Sequence, residues 1–120
     1  MDLCGLLRTA VPENQAEFSI TQRDGVSLFD VKTSGALDNL LRDFAAKAAG
    51  RQLSAVVDVS KITLTRNQAT YLAFQITDLM IINKRLIVAY VDKPKGPVYI
   101  ALDGGGVYTS TPAAIESLTP

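Results

Sequence analysis

Asp58 and Ser60 close an apolar run over residues 53–59, and Thr63, Thr65 and Thr70 follow shortly after, so acid and hydroxyl groups gather where a strand gives way to a helix. In open α/β sheets, ligands collect beyond the carboxyl ends of the strands, which makes Asp58 and Ser60 candidate polar or anion contacts. The simpler reading is that the carboxylate caps a neighbouring turn or helix N-terminus. Around this group the catalytic repertoire is thin. The chain has no histidine and a single cysteine, Cys4. Without histidine the commonest general base near neutral pH is missing, and no Ser-His-Asp arrangement exists. One cysteine also leaves too few ligands for a zinc or other soft-metal site within one chain. The carboxylates are scattered and match no EF-hand loop. Gly104, Gly105 and Gly106 lead into Val107 and Tyr108 rather than into Lys and Ser/Thr, so they read as a turn and not as a phosphate cradle. Lys93 and Lys95 read as solvated loop charges. We therefore expect no catalytic residue, no cofactor and no metal, and a protein that is not an enzyme.

The bulk properties point the same way. At 120 residues and 48% hydrophobic content, the chain is the size of one domain with a core of its own. Twelve basic and twelve acidic residues cancel, without a block of either sign, which gives no footprint for nucleic acid. A lone Cys4 cannot form an internal disulfide, which fits a reducing compartment and makes the cytoplasm the expected location. The first eight residues lack a basic leader, and the longest apolar run, Leu86 to Val91, is too short to span a membrane.

The elements that would position these residues can be read from spacing. Residues 17–22 and 26–31 alternate as strands around Asp24 and Gly25, a pair suited to a tight antiparallel hairpin. Leu37, Leu41, Phe44, Ala45 and Ala48 repeat at helical spacing over residues 36–49, with Gly50 at the expected end. The near-continuous apolar runs 53–59 and 86–91 predict central parallel strands covered on both faces. Between them, residues 66–82 form a crossover helix whose core face carries Ala69, Leu72, Ala73, Ile76, Leu79 and Met80. Residues 98–102 are strand-like in composition, but Pro97 before them and the glycines after them favour a short helix. Residues 107–110 then make an edge strand, and Thr111 and Pro112 start a closing helix over 113–118. Residues 1–16 read as an N-terminal segment, either disordered or a short helix in which Leu3, Leu6, Leu7 and Val11 have amphipathic spacing.

The apolar strand ending in Asp58, Val59 and Ser60, followed by a turn and a helix, resembles the signature of STAS domains, the module of anti-sigma-factor antagonists and sulfate-transporter tails. In that family the helix opens with Asp-Ser-Ser-Gly. Here Arg66, Asn67, Gln68 and Ala69 stand in those places, so the position of the phosphoacceptor serine holds Gln68, which cannot accept a phosphoryl group. The resemblance covers residues 17–120 and implies a STAS-like mixed sheet in the order β-β-α-β-α-β-α-β-α. It also implies a partner-binding surface on the crossover helix, with Thr65 or Thr70 as the remaining hydroxyls for a phosphorylation switch.

The crossover helix has a second apolar stripe on its far side, made by Tyr71, Phe74, Ile81 and Ile82. A helix on one side of a sheet normally turns polar residues outward, so this stripe is expected to be a protein interface with Thr65, Asn67 and Gln68 as polar contacts at its edge. The competing reading is that the first helix, or residues Leu3 to Val11, covers it within the monomer. The expected function is a non-enzymatic regulatory module that docks a protein partner or a second copy of itself. The alternative is a domain that binds a small apolar, lipid-like ligand.

Overall fold

The computed structural model describes residues 18–119. The expectations for residues 1–16 lie outside this range.

The chain begins with strands β1 (Phe18–Arg23) and β2 (Val26–Val31), joined through Asp24 and Gly25. Both turn residues have positive φ, 55° and 78°, as the right-handed twist of a two-residue hairpin demands, and Gly25 meets that demand without a Cβ clash. A 3₁₀ turn over Ser34–Ala36 leads into α1 (Leu37–Ala48), and the chain returns through β3 (Leu53–Asp58), α2 (Arg66–Ile82), β4 (Leu86–Val91), α3 (Pro97–Ala101), β5 (Val107–Tyr108) and α4 (Thr111–Leu118). The five strands form one sheet in the order β1-β2-β3-β4-β5, antiparallel between β1 and β2 and parallel from β2 onward. The protein is an α/β domain with a mixed sheet, and it has the element order expected from spacing.

Strand periodicity divides the core into two layers. On the first face of the sheet, Phe29, Val31, Ala55, Val57, Val88 and Tyr90 meet the buried sides of α1 and α2 and Val98 of α3. Phe29 and Phe44 anchor this layer, with ring centroids 5.0 Å apart in a tilted arrangement. On the second face, Val26, Val56, Ala89 and Val91 pack under Ala114 and Ile115 of α4. Ala55, Val56 and Val57 are therefore all buried, which explains why β3 reads as an unbroken apolar run. A single short helix covers less of the second face than three cover of the first, and Ile87 there remains half exposed.

Several boundaries differ by a residue or two from the spacing-based reading, and three of them have a cause in side-chain contacts. β3 stops at Asp58, whose side chain serves the following turn, rather than at Val59. β5 stops at Tyr108 and not at Ser110, because Ser110 is the N-cap of α4: its hydroxyl accepts the amide of Ala113 at 3.3 Å. Thr111 is therefore the first helical residue and not the cap, since the acceptor must lie three positions before the amide that it satisfies.

Candidate functional site

The N-terminus of α2 carries the residues singled out by the strand-to-helix pattern. Thr65 keeps extended backbone angles, and its Oγ1 accepts the Gln68 amide at 3.1 Å while Gln68 Oε1 accepts the Thr65 amide at 2.9 Å. This reciprocal capping box satisfies two of the amides that a helix start leaves unpaired. The carbonyl of Gln68 is thus committed to its own helix. Its signal was present in the sequence as Thr-x-x-Gln immediately before an apolar periodic run. Arg66 and Asn67 project from the first turn and are exposed, whereas Thr70 is half buried.

Further along α2 the two faces separate cleanly. Ala69, Leu72, Ala73 and Ile76 have no exposed surface. On the opposite side Tyr71, Phe74, Ile81 and Ile82 are 47%, 54%, 67% and 81% exposed. Residues 71, 74, 78, 81 and 82 fall within one arc at about 100° per residue, so they form one continuous strip down the helix. Asp78 is exposed on the midline of that strip and takes part in neither ion pair found among the described residues. Helix α1 packs beside α2 without covering the strip; whether residues 3–11 do so lies outside the described range. Leu79 and Met80, read as core-facing, are half buried at the margin of the first layer.

Asp58 and Ser60 belong to a different place. Asp58 Oδ1 accepts both the amide of Ser60 at 2.9 Å and its hydroxyl at 2.6 Å, which closes the turn after β3. Asp58 shares its strand face with Val56, so its carboxyl end opens on the second face of the sheet, whereas the strip lies beyond the first. Asp30 stands beside it in the β2–β3 register. Lys61 Nζ reaches Asp30 Oδ2 at 3.0 Å. That hydrogen bond and the Asp30 charge, with a smaller contribution from Asp58, raise the pKa of Lys61 above its ordinary value. Ser19, Thr21 and Thr111 complete a shallow cleft of about 180 Å³ around these charges. The sequence placed Asp58 and Ser60 near Thr65 and Gln68, but the fold does not bring the two groups together into one site.

Spacing did not single out two buried groups at the end of β4. Asp92 is 2% exposed, and its carboxylate accepts the amides of Lys93 at 2.7 Å, Val98 at 3.0 Å and Tyr99 at 3.3 Å. It therefore holds the N-terminus of α3 against the sheet. Gly96 passes so close that a Cβ there would run into the Asp92 carboxylate. The available signal was an acid directly after an apolar strand with Pro97 shortly beyond it. Tyr90, equally buried, has no partner for its hydroxyl, and burial raises its pKa. At the other end of α2, Asn83 donates to the carbonyls of Ala48 and Arg51 and accepts the Arg85 amide at 3.1 Å, which ties the end of the helix to the α1–β3 loop.

Among the described residues no cluster of three or more His, Cys, Asp or Glu side chains is placed to hold a metal ion, and no helix is long and apolar enough to cross a membrane. Compared with known proteins, the chain matches no protein-family model and no curated protein.

Proposed function

We propose that this chain is a non-enzymatic, STAS-like regulatory module that works in the cytoplasm by docking a protein partner, or a second copy of itself, onto the outer face of α2. The observation that carries the reading is the exposure of Tyr71, Phe74, Ile81 and Ile82 on a helix whose opposite face is already satisfied by its own sheet. Burying one such side chain contributes about 1.5–3 kcal/mol, so a helix surface of this kind has much to gain from a partner. The capping box supports the same reading, because it fixes the backbone of the first turn of α2, where Asn67 falls on the same side as the strip.

The test is association. Alanine at Tyr71 and at Phe74 is expected to weaken self-association in sedimentation, or affinity for a captured partner, while leaving the circular dichroism spectrum unchanged. A chain whose size and binding were indifferent to both substitutions would end this reading. The alternative, an apolar small ligand, has less to support it. Among the described residues, a cleft of about 180 Å³ carries Asp30, Asp58 and Lys61 and another of about 270 Å³ carries Arg23, Asp24 and Glu116, a poor match for the apolar lining that such ligands use.

A further inference from the structure

The sheet treats its two edges differently. At one edge β5 is only two residues long. At the other, β1 runs for six residues without proline, and its one-to-one register with β2 leaves no bulge. Its single charge, Arg23, stands at the far end. Short length, proline, bulges and charges are the devices that keep foreign strands off a sheet edge, and residues 18–22 carry none of the last three.

The hairpin decides which backbone groups of β1 are free. A two-residue turn makes Arg23 and Val26 a hydrogen-bonded pair, and the pattern alternates from there. Ser19, Thr21 and Arg23 therefore bond to β2, while the amides and carbonyls of Phe18, Ile20 and Gln22 point away from it. No other strand lies on that side, and among the described residues no backbone group bonds to them.

We propose that β1 pairs edge to edge with β1 of a second copy of this chain, antiparallel about a two-fold axis at Ile20, so that two sheets join into one. Backbone geometry selects this register. Ile20 meets Ile20 of the second copy, and Phe18 and Gln22 meet each other on either side, so every outward group of the strand faces another outward group and each such pair exchanges both of its N–H···O bonds. A slip of one residue sets outward groups against groups already bonded to β2; a slip of two carries Phe18 onto the Asp24 turn or Gln22 past the start of the strand.

The side chains agree with the register. Ile20, partly packed against the first core layer, makes a β-branched pair with its own copy on that face. On the other face Ser19 and Thr21, which line the cleft beside Asp30 and Asp58, bring a hydroxyl opposite a hydroxyl. Arg23 falls outside the paired stretch at each end, so no like charges meet. A contact of this kind is self-complementary and closes after two copies. It is separate from the strip on α2 and does not depend on the reading of that helix.

Hydrogen exchange in the full-length chain tests the contact without any substitution. The amides of Ile20 and Gln22 are expected to slow as protein concentration rises, in step with a doubling of the sedimenting mass, while those of Thr21 and Arg23 stay slow throughout. Ile20→Lys should sediment as a monomer with an unchanged circular dichroism spectrum, and so should Ile20→Glu. Because position 20 faces itself, an equimolar mixture of the two should regain the dimer. A chain that stays monomeric, a dimer whose Ile20 and Gln22 amides still exchange fast, or a mixture that fails to associate would overturn the proposal. Protection that appears only when a different protein is bound would give the edge to that protein and overturn the dimer. Phe74→Ala keeps the two surfaces apart: a dimer lost there but intact in Ile20→Lys would sink the edge contact and support α2, whereas the reverse would leave the edge contact standing without it.

Discussion

Tyr90 and Asp92 stand two positions apart at the end of β4, and their polar atoms meet opposite fates. The Asp92 carboxylate accepts three backbone amides, while the Tyr90 hydroxyl accepts and donates nothing. Asp92→Ala would strand the amides of Val98 and Tyr99 beside the sheet, and we expect a loss of about 1–3 kcal/mol in urea unfolding, with a smaller loss for Asp92→Asn. Tyr90→Phe removes an unsatisfied group and should leave stability at pH 7 unchanged or raised. Its signature is in alkali. Above about pH 10 a tyrosine in the unfolded chain releases its proton, whereas burial keeps Tyr90 protonated in the folded state. The folded state then binds more protons than the unfolded one, so stability falls as pH rises, by up to about 1.4 kcal/mol per pH unit. Unfolding of Tyr90→Phe followed from pH 9 upward should lack that part of the slope; an unchanged slope would show that Tyr90 ionises as readily in the folded protein as in the unfolded one.

At the level of the element, α2 performs two jobs on opposite sides, and substitutions should separate them. Ile76→Ala opens a cavity in the first layer and is expected to cost about 2–5 kcal/mol in stability. Phe74→Ala, two residues earlier on the exposed side, should cost less than about 0.5 kcal/mol and act on association instead. Equal destabilisation by the two would mean that the outer face is packed in solution. The two faces were both legible in the sequence, because a period of 3.6 places residues 69, 72, 73 and 76 opposite residues 71, 74, 81 and 82 whatever surrounds the helix. The role of Gln68 was less legible. A resemblance drew attention to the residue that it replaces, while its actual contact is a local hydrogen bond to Thr65.

For the whole molecule, both core layers share the same three strands: β2, β3 and β4 contribute to each face of the sheet. Neither layer can open without exposing the other side of the same strands, so unfolding should be a single transition. Far-ultraviolet circular dichroism and tyrosine fluorescence are expected to report the same urea midpoint. Two separated midpoints would show that α4 and the second layer come away from a sheet that keeps α1 and α2. Contacts between strands distant in sequence also explain what spacing missed here. That Asp58 faces the cleft with Asp30 and Lys61, rather than the strip on α2, depends on the β2–β3 register and on which face each helix takes.

Local chemistry was enough to order the elements of this protein. Turn residues, periodicity and proline act over a few neighbouring positions, and they marked the hairpin, the crossover helix with its bounds at 66 and 82, and the short helix after Pro97. Folding in three dimensions settled the rest, because exposure is set by segments far away in the chain. It left Phe74 and Ile81 open, buried Asp92 against amides six and seven positions later, and put Asp58 and Gln68 to local structural work on different sides of the sheet.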